Sequence, residues 1–243
     1  MSVRIVQLYQ ALLGIYGDQG NARVLQQRLR MRGIDADVTE VRPGDAVPAG
    51  ADVYLLGGGE DQAQVAAVSL LRDDTTLRDS LADGSVLFAV CAGYQICGNS
   101  FTVGADDQVV EGLGLLDVDT RRGEPRAVGE IVTDWTRPDG SVHRLTGFEN
   151  HGGFTRVNSG STPLARVVTG VGNGHDGSEG AVAPGGHVIG TYLHGPVLAR
   201  NPELADHLLT SALGRDLEPL ELPEIEQLRA ARFRVAAHEA SGR

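Results

Sequence analysis

Lysine is missing from this chain: all 21 basic residues among its 243 are arginine. No lysine can therefore act as a base, a Schiff-base former or the cation of a phosphate-binding loop. Cysteine is nearly as scarce. Cys91 and Cys97 are too few for a disulfide framework or for a zinc site of their own, which predicts a reduced, intracellular protein. No apolar run approaches the ~20 residues of a membrane span. Met1-Ser2-Val3-Arg4 leads straight into a strand-like stretch, with no signal-peptide pattern. Positive charge is also outweighed, since 32 acidic residues against 21 arginines give a net charge of −11. That balance argues against nucleic acid as a partner and leaves no polybasic anchor for a membrane surface.

What remains is a globular composition, 41% hydrophobic and 22% charged, long enough for one domain or two small ones. Val3 to Tyr9 reads as a strand, Ala22 to Arg32 as a helix, Ile34 to Val41 and Val53 to Leu56 as strands. Gln62 to Leu81 reads as one helix, and Val86 to Val90 is apolar throughout. Uninterrupted apolar runs are what strands covered on both faces look like, so this half predicts β-α-β units around a parallel sheet. Short strands are expected at Gly114 to Thr120, Gly129 to Asp134, Val142 to Phe148, Ala165 to Val171 and Val188 to Tyr192. Helices are expected from Pro202 to Leu213 and from Pro223 to Ala237, with a frayed tail at Ser241-Gly242-Arg243. The whole reads as one α/β domain with a β-rich second half.

Three features sit at expected strand ends, where open parallel sheets bind ligands. In Val90-Cys91-Ala92-Gly93-Tyr94-Gln95 a buried strand runs into a cysteine, two small residues and a helix. That is the logic of a nucleophile elbow, and a helix N-terminus favours thiolate; the competing reading is a buried core cysteine. Cys97 lacks this setting and reads as core. Gly57-Gly58-Gly59 either presents backbone N–H groups to an anion or is a plain turn, and it extends into neither G-x-G-x-x-G nor a Walker loop. Third, the apolar strand before Tyr192-Leu193-His194-Gly195-Pro196 ends in a histidine. His143, His175, His187, His207 and His238 read as surface or core. His151, in Gly147-Phe148-Glu149-Asn150-His151-Gly152-Gly153, fits either a pocket wall or a hydrogen-bonded turn, with the turn favoured. A cysteine, a histidine and backbone donors together make the kit for acyl transfer through a thioester.

At these residues the chain resembles the class I glutamine amidotransferases, in their cobyric-acid-synthase-like branch and among its free-standing glutaminase subunits. The matching segments also include Tyr16-Gly17-Asp18-Gln19-Gly20-Asn21, Gly57 to Gln64, and Glu111-Gly112-Leu113-Gly114-Leu115-Leu116-Asp117. The resemblance spans about residues 3 to 215 and implies a flavodoxin-like fold, with 216–243 a C-terminal helix and tail. It implies Cys91 as nucleophile and His194 as general base and acid. Backbone N–H groups of Gly58, Gly59 and Ala92 become oxyanion donors, Gln95 lies at the substrate, and Arg126 grips the glutamine carboxylate. The alternative for Arg126 is a solvated loop charge like Arg121 and Arg122.

One position departs from the wider class. Two residues after the histidine, where most members carry a glutamate, stands Pro196. The resemblance suggests that a partner supplies an aspartate instead. It also implies no cofactor or metal in this chain. By the same resemblance the expected partner is a Mur-ligase-like, MurT-type synthetase that uses ATP and Mg and acts on lipid II, at the inner face of the membrane, turning D-glutamate into D-isoglutamine. The competing expectations are a glutaminase for another amidation, of the cobyric acid type, and a non-catalytic binding module.

Overall fold

The computed structural model describes residues 2–14, 17–174, 176–220 and 222–241. Tyr16, His175, Gly242 and Arg243, which figure in the expectations above, lie outside the described residues. In chain order the elements are β1 Val3–Leu8, α1 Gln10–Leu13, α2 Gly20–Arg30, β2 Ala36–Val41, β3 Val53–Leu56, α3 Asp61–Asp73, α4 Thr76–Ala82 and β4 Val86–Val90. There follow α5 Ala92–Cys97, β5 Ser100–Val103, β6 Gln108–Glu111, β7 Val118–Thr136, β8 Val142–Val157 and β9 Ala165–Thr169. The chain closes with β10 Ser178–Glu179, β11 Ala181–Val182, β12 Val188–Thr191, α6 Val197–Arg200, α7 Pro202–Leu213 and α8 Pro223–Ser241.

Two sheets organise the molecule. The first runs β11-β12-β4-β3-β1-β2 and is parallel except for the pairing of β11 with β12. Every residue of β3, β4 and β12 is buried, as their apolar sequences require of strands covered on both faces. Register then decides what meets at the rim. Leu56 pairs with Ala89, and Thr191 with Val90, so Gly57, Cys91 and the Tyr192–His194 segment leave the sheet at neighbouring points. The second sheet runs β10-β9-β7-β5-β6, and β8 adds to it by pairing with β7.

The β-rich half is more regular than its sequence suggests. Two expected strands fuse into the single β7, and β8 continues past Phe148 to Val157. Arg122 pairs with Gly153 but Ala127 with His151, so the β7 ladder bulges at residues 123–126. Pro125 explains the gap in the pattern, because proline cannot donate to a ladder and is tolerated at a bulge. In the opposite direction, the expected helix from Gln62 to Leu81 is two. Asp74 breaks it: one carboxylate oxygen accepts the Thr76 N–H at 2.9 Å, a donor a continuous helix would have used itself, and the other accepts the Val47 N–H at 3.2 Å.

Helix α8 lies on the outside of this frame. Its Arg229 donates to Glu203 Oε1 at 2.7 Å and to the Arg144 carbonyl at 2.8 Å, and Arg232 reaches Glu130 at 3.5 Å.

Candidate active site

Cys91 occupies the turn between β4 and α5 with φ 54° and ψ −108°. A non-glycine residue in such a conformation is strained, and strain of this kind persists where surrounding structure fixes it. Here β4 is held between β3 and β12, the Cys91 N–H donates to the Thr191 carbonyl at 2.8 Å, and the Gly93 N–H donates to the Gly57 carbonyl at 3.1 Å. The turn carries the thiol to the N-terminal end of α5. Ala92, the first residue of that helix, contributes one of the N–H groups a helix leaves without an internal acceptor. Cys97, five residues along the helix, is fully buried and its thiol is pushed up to about 12 by that burial. It is core.

His194 arrives from the neighbouring strand. Its backbone exchanges two hydrogen bonds with Phe148 of β8, at 2.9 and 3.0 Å, so one residue ties the two sheets together beside Cys91. His194 as a whole is 3% exposed. Burial alone would lower its affinity for a proton. Hydrogen bonds to Asp18 and to Cys91 win, and the ring is pushed up to about 10. At neutral pH it is therefore an imidazolium, the form that stabilises a thiolate alongside it.

Asp18 was absent from the expected site. One carboxylate oxygen lies 3.3 Å from His194 Nδ1, and the other accepts the Gly58 N–H at 2.9 Å. The second contact changes the expected role of Gly58, whose amide is engaged by a carboxylate and not directed at a substrate oxyanion. Gly58 is nevertheless tightly packed. A Cβ there would lie 3.0 Å from His194 Cε1, 3.3 Å from Asp18 Oδ2 and 3.3 Å from Cys91 Cβ. Asp18 sits in the matched Gly17-Asp18-Gln19-Gly20-Asn21 segment, but a lone aspartate near a strand end gives no signal until the fold brings His194 to it.

In front of Cys91 opens a cleft of about 390 Å³ to which Gly59, Ala92, Gln95, Arg126, Asn150 and His151 contribute. The β7 bulge aims Arg126 into it. Its guanidinium donates to Asn150 Oδ1 at 2.9 Å and to the Asn150 carbonyl at 3.2 Å. Arg122 lies at the outer edge of the same cleft and is an exposed charge, as its sequence context suggests. It pairs with Asp107 at 2.7 Å on the rim. Gln95 forms the wall: its carbonyl oxygen accepts from Gln64 at 2.8 Å and its amide donates to the Tyr192 hydroxyl at 3.1 Å. His151 is part of a strand, not of a turn, and it too lines the cleft.

A strained cysteine at a strand-to-helix elbow, an adjoining imidazolium and a polar cleft with an arginine define a thiol amidohydrolase of the glutamine amidotransferase class. Residues 4–202 match the CobB/CobQ-like glutamine amidotransferase domain, and the chain belongs to that family. It is 36% identical over 217 residues to the GatD subunit of the glutamine-hydrolysing lipid II isoglutaminyl synthase of Staphylococcus aureus, covering 88% of this chain and 86% of the relative. It is 32% identical to the GatD subunit of Streptococcus pneumoniae, covering 93% and 86%. In fold it is similar to the structure of PurLQS from Thermotoga maritima, with a TM-score of 0.59 at 16% identity, covering 88% of this chain and 99% of that one.

Proposed function

We propose that this chain is the glutaminase subunit of a two-chain ligase that amidates lipid II. The observation that carries the reading is the Cys91–His194 pair at the elbow, facing a cleft with a cationic end at Arg126, in a chain similar to GatD subunits over most of both lengths.

Glutamine enters with its α-carboxylate on the Arg126 guanidinium, whose planar fork suits a carboxylate. Its side-chain amide then lies at Cys91. The thiolate attacks the amide carbon, and the oxyanion that forms is met by N–H groups at Ala92 and the Gly59 loop. His194, protonated at this stage, gives its proton to the departing nitrogen, so that ammonia leaves and a glutamyl thioester remains. The now neutral imidazole takes a proton from water, the hydroxide attacks the thioester, and glutamate is released with the thiolate restored.

Ammonia in bulk water at neutral pH is protonated and inert as a nucleophile, so the product needs an acceptor close by. A Mur-ligase-like synthetase fills that role, with ATP and Mg²⁺ on its own chain, activating the α-carboxylate of D-glutamate in the lipid II stem. The sum is lipid II + glutamine + ATP + water → amidated lipid II + glutamate + ADP + phosphate. Among the described residues no helix is long and apolar enough to cross a membrane, and in this reading contact with the inner membrane face comes through partner and substrate.

The test is release of glutamate and ammonia by the purified chain, with and without that synthetase. Cys91→Ala and His194→Ala are expected to abolish it, and Arg126→Ala to raise KM at least tenfold. Wild-type chain that hydrolyses no glutamine with the synthetase present overturns the reading. Hydrolysis stimulated only by a synthetase acting on another carboxylic acid, such as a corrinoid, overturns the lipid II assignment alone.

A further inference from the structure

Behind the cleft a string of buried side chains is hydrogen-bonded end to end, and none of them takes part in the reaction steps above. We propose that Gln64 is the positioning residue of Gln95: it fixes the Gln95 amide so that the cleft wall beside Cys91 presents a hydrogen-bond donor to the bound glutamine. The inference rests on the glutaminase reading and deepens it, by naming the residue that decides which edge of Gln95 the substrate meets.

The string starts at an oxygen that can only accept. Gln64 Nε2, on α3, donates to the Ala92 carbonyl at 3.4 Å and to Gln95 Oε1 at 2.8 Å. Turned over, Gln64 would set its own oxygen against that carbonyl, so Ala92 settles which end is nitrogen. Gln95 therefore directs its oxygen at Gln64 and its nitrogen at the Tyr192 hydroxyl, 3.1 Å away. That hydroxyl, having accepted, passes its hydrogen to Thr155 Oγ1 at 2.6 Å, and Thr155 passes its own to Thr120 Oγ1 at 2.7 Å. All five side chains are buried, Gln64 at 2% exposure and Gln95 at 8%, so bulk water offers the amides no alternative partners.

Tyr192 takes one hydrogen of Gln95 Nε2 and leaves the second for another acceptor. The nitrogen edge is also the approachable one. Gly153 lines the cleft, and a Cβ there would collide with Gln95 Nε2 and lie 2.7 Å from Thr120 Cγ2, so glycine keeps that approach clear. A carboxylate or carbonyl oxygen of the substrate is thus met by a donor, whereas the reversed amide would set oxygen against oxygen. Gln64 lines the same cleft, but both of its amide hydrogens are committed to Ala92 and Gln95, and it acts on the substrate through Gln95.

Gln64→Glu and Gln64→Met remove the donor at nearly constant size. The carboxylate of Gln64→Glu offers only acceptors, so Gln95 turns over to give it hydrogens and shows its oxygen to the cleft. Methionine leaves both orientations open, and because it buries no charge it carries the test if Gln64→Glu does not fold. KM for glutamine is expected to rise about tenfold in Gln64→Glu and by less in Gln64→Met, with kcat within about threefold in both. In a Gln95→Ala background, Gln64→Met is expected to change KM by less than about twofold, since a residue that acts through Gln95 has nothing left to act on. A readout independent of hydrolysis is the pair of Gln95 side-chain amide resonances in proton–nitrogen NMR spectra, assigned with Gln95→Ala and expected to move in Gln64→Met and Gln64→Glu. An unchanged KM in the single variants overturns the proposal. So does a Gln64→Met effect as large in the Gln95→Ala background as in the wild type, which would leave Gln64 a packing residue. If the wild-type chain hydrolyses no glutamine yet the Gln95 resonances move when Gln64 is replaced, the positioning stands and the glutaminase reading is the one that fails.

Discussion

The imidazole of His151 lies flat on the ring of Tyr192, with centroids 3.8 Å apart and planes 13° from parallel. His151 Nδ1 is 2.8 Å from the Gly153 carbonyl, and the Tyr192 hydroxyl is held between Gln95 and Thr155 Oγ1, the latter at 2.6 Å. One stack therefore transmits the position of β8, which carries Asn150 under Arg126, to the wall formed by Gln95. His151→Ala is expected to lower unfolding free energy by about 3 kcal/mol in urea titrations, as for loss of a buried aromatic with a hydrogen bond. His151→Phe should recover more than half of that. In both variants a glutamine-analogue electrophile should still label Cys91 to one equivalent.

Gly58→Ala tests the crowding at the centre of the site. A methyl group there meets His194, Asp18 and Cys91 at once, at 3.0 to 3.3 Å. Glutaminase activity is expected to fall by about tenfold, because the neighbours must give by a few tenths of an ångström and a misplacement of about 1 Å would cost two orders of magnitude. Far-UV circular dichroism should be unchanged, since the first sheet does not depend on this side chain.

Glu179 makes stability depend on pH. Burial raises its carboxyl from 4.5 to about 7, against the hydrogen bonds of the Tyr192 N–H and the Thr191 hydroxyl, and nearby Glu149 adds to the rise. The folded state thus binds this proton more tightly than the unfolded chain. The stability it contributes is complete below pH 4.5 and is lost as pH rises through about 7. Glu179→Gln keeps an oxygen for both donors and puts an uncharged amide where Oε2 has no hydrogen-bond partner. Relative to wild type it should be more stable at pH 8 than at pH 5 by about 2 kcal/mol, read from denaturant midpoints at the two pH values.

Asp206 joins α7 to α2. It takes a bidentate pair from Arg28, both bonds at 2.6 Å, and a third bond from Arg32 at 2.7 Å. Both arginine side chains are about 95% buried, at 6% and 5% exposure. Asp206→Ala leaves two buried guanidinium groups without their carboxylate and is expected to cost about 3 kcal/mol in urea. Asp206→Asn should cost less.

The turn at Cys91, the strand end at His194 and the strands β1, β3, β4 and β12 were legible in the sequence for physical reasons, whereas Arg126 was singled out through the family resemblance. Strands buried on both faces are written as unbroken apolar runs, and an elbow demands small neighbours at fixed spacing. Gln62 to Leu81 was not legible as two helices, because its apolar period continues through Asp74 and the break is made by a side chain bonding to Thr76 and Val47. Asp18 was missed for a different reason. It lies far from its partner in sequence, and an aspartate in a loop reads as solvated until a distant segment lands on it. The single strand β7 was hidden by its own bulge, whose proline and glycine imitate a loop.

The central position of β4 has a consequence for how the protein is made. Its neighbour β12 lies nearly a hundred residues further along the chain, and the entire second sheet is inserted between them. A ribosome translating this message exposes Cys91 long before it has polymerised His194, so a nascent or prematurely terminated chain holds a thiol with no base beside it. The two side chains can meet only once β12 has paired with β4, so their juxtaposition depends on the second sheet having been synthesised first.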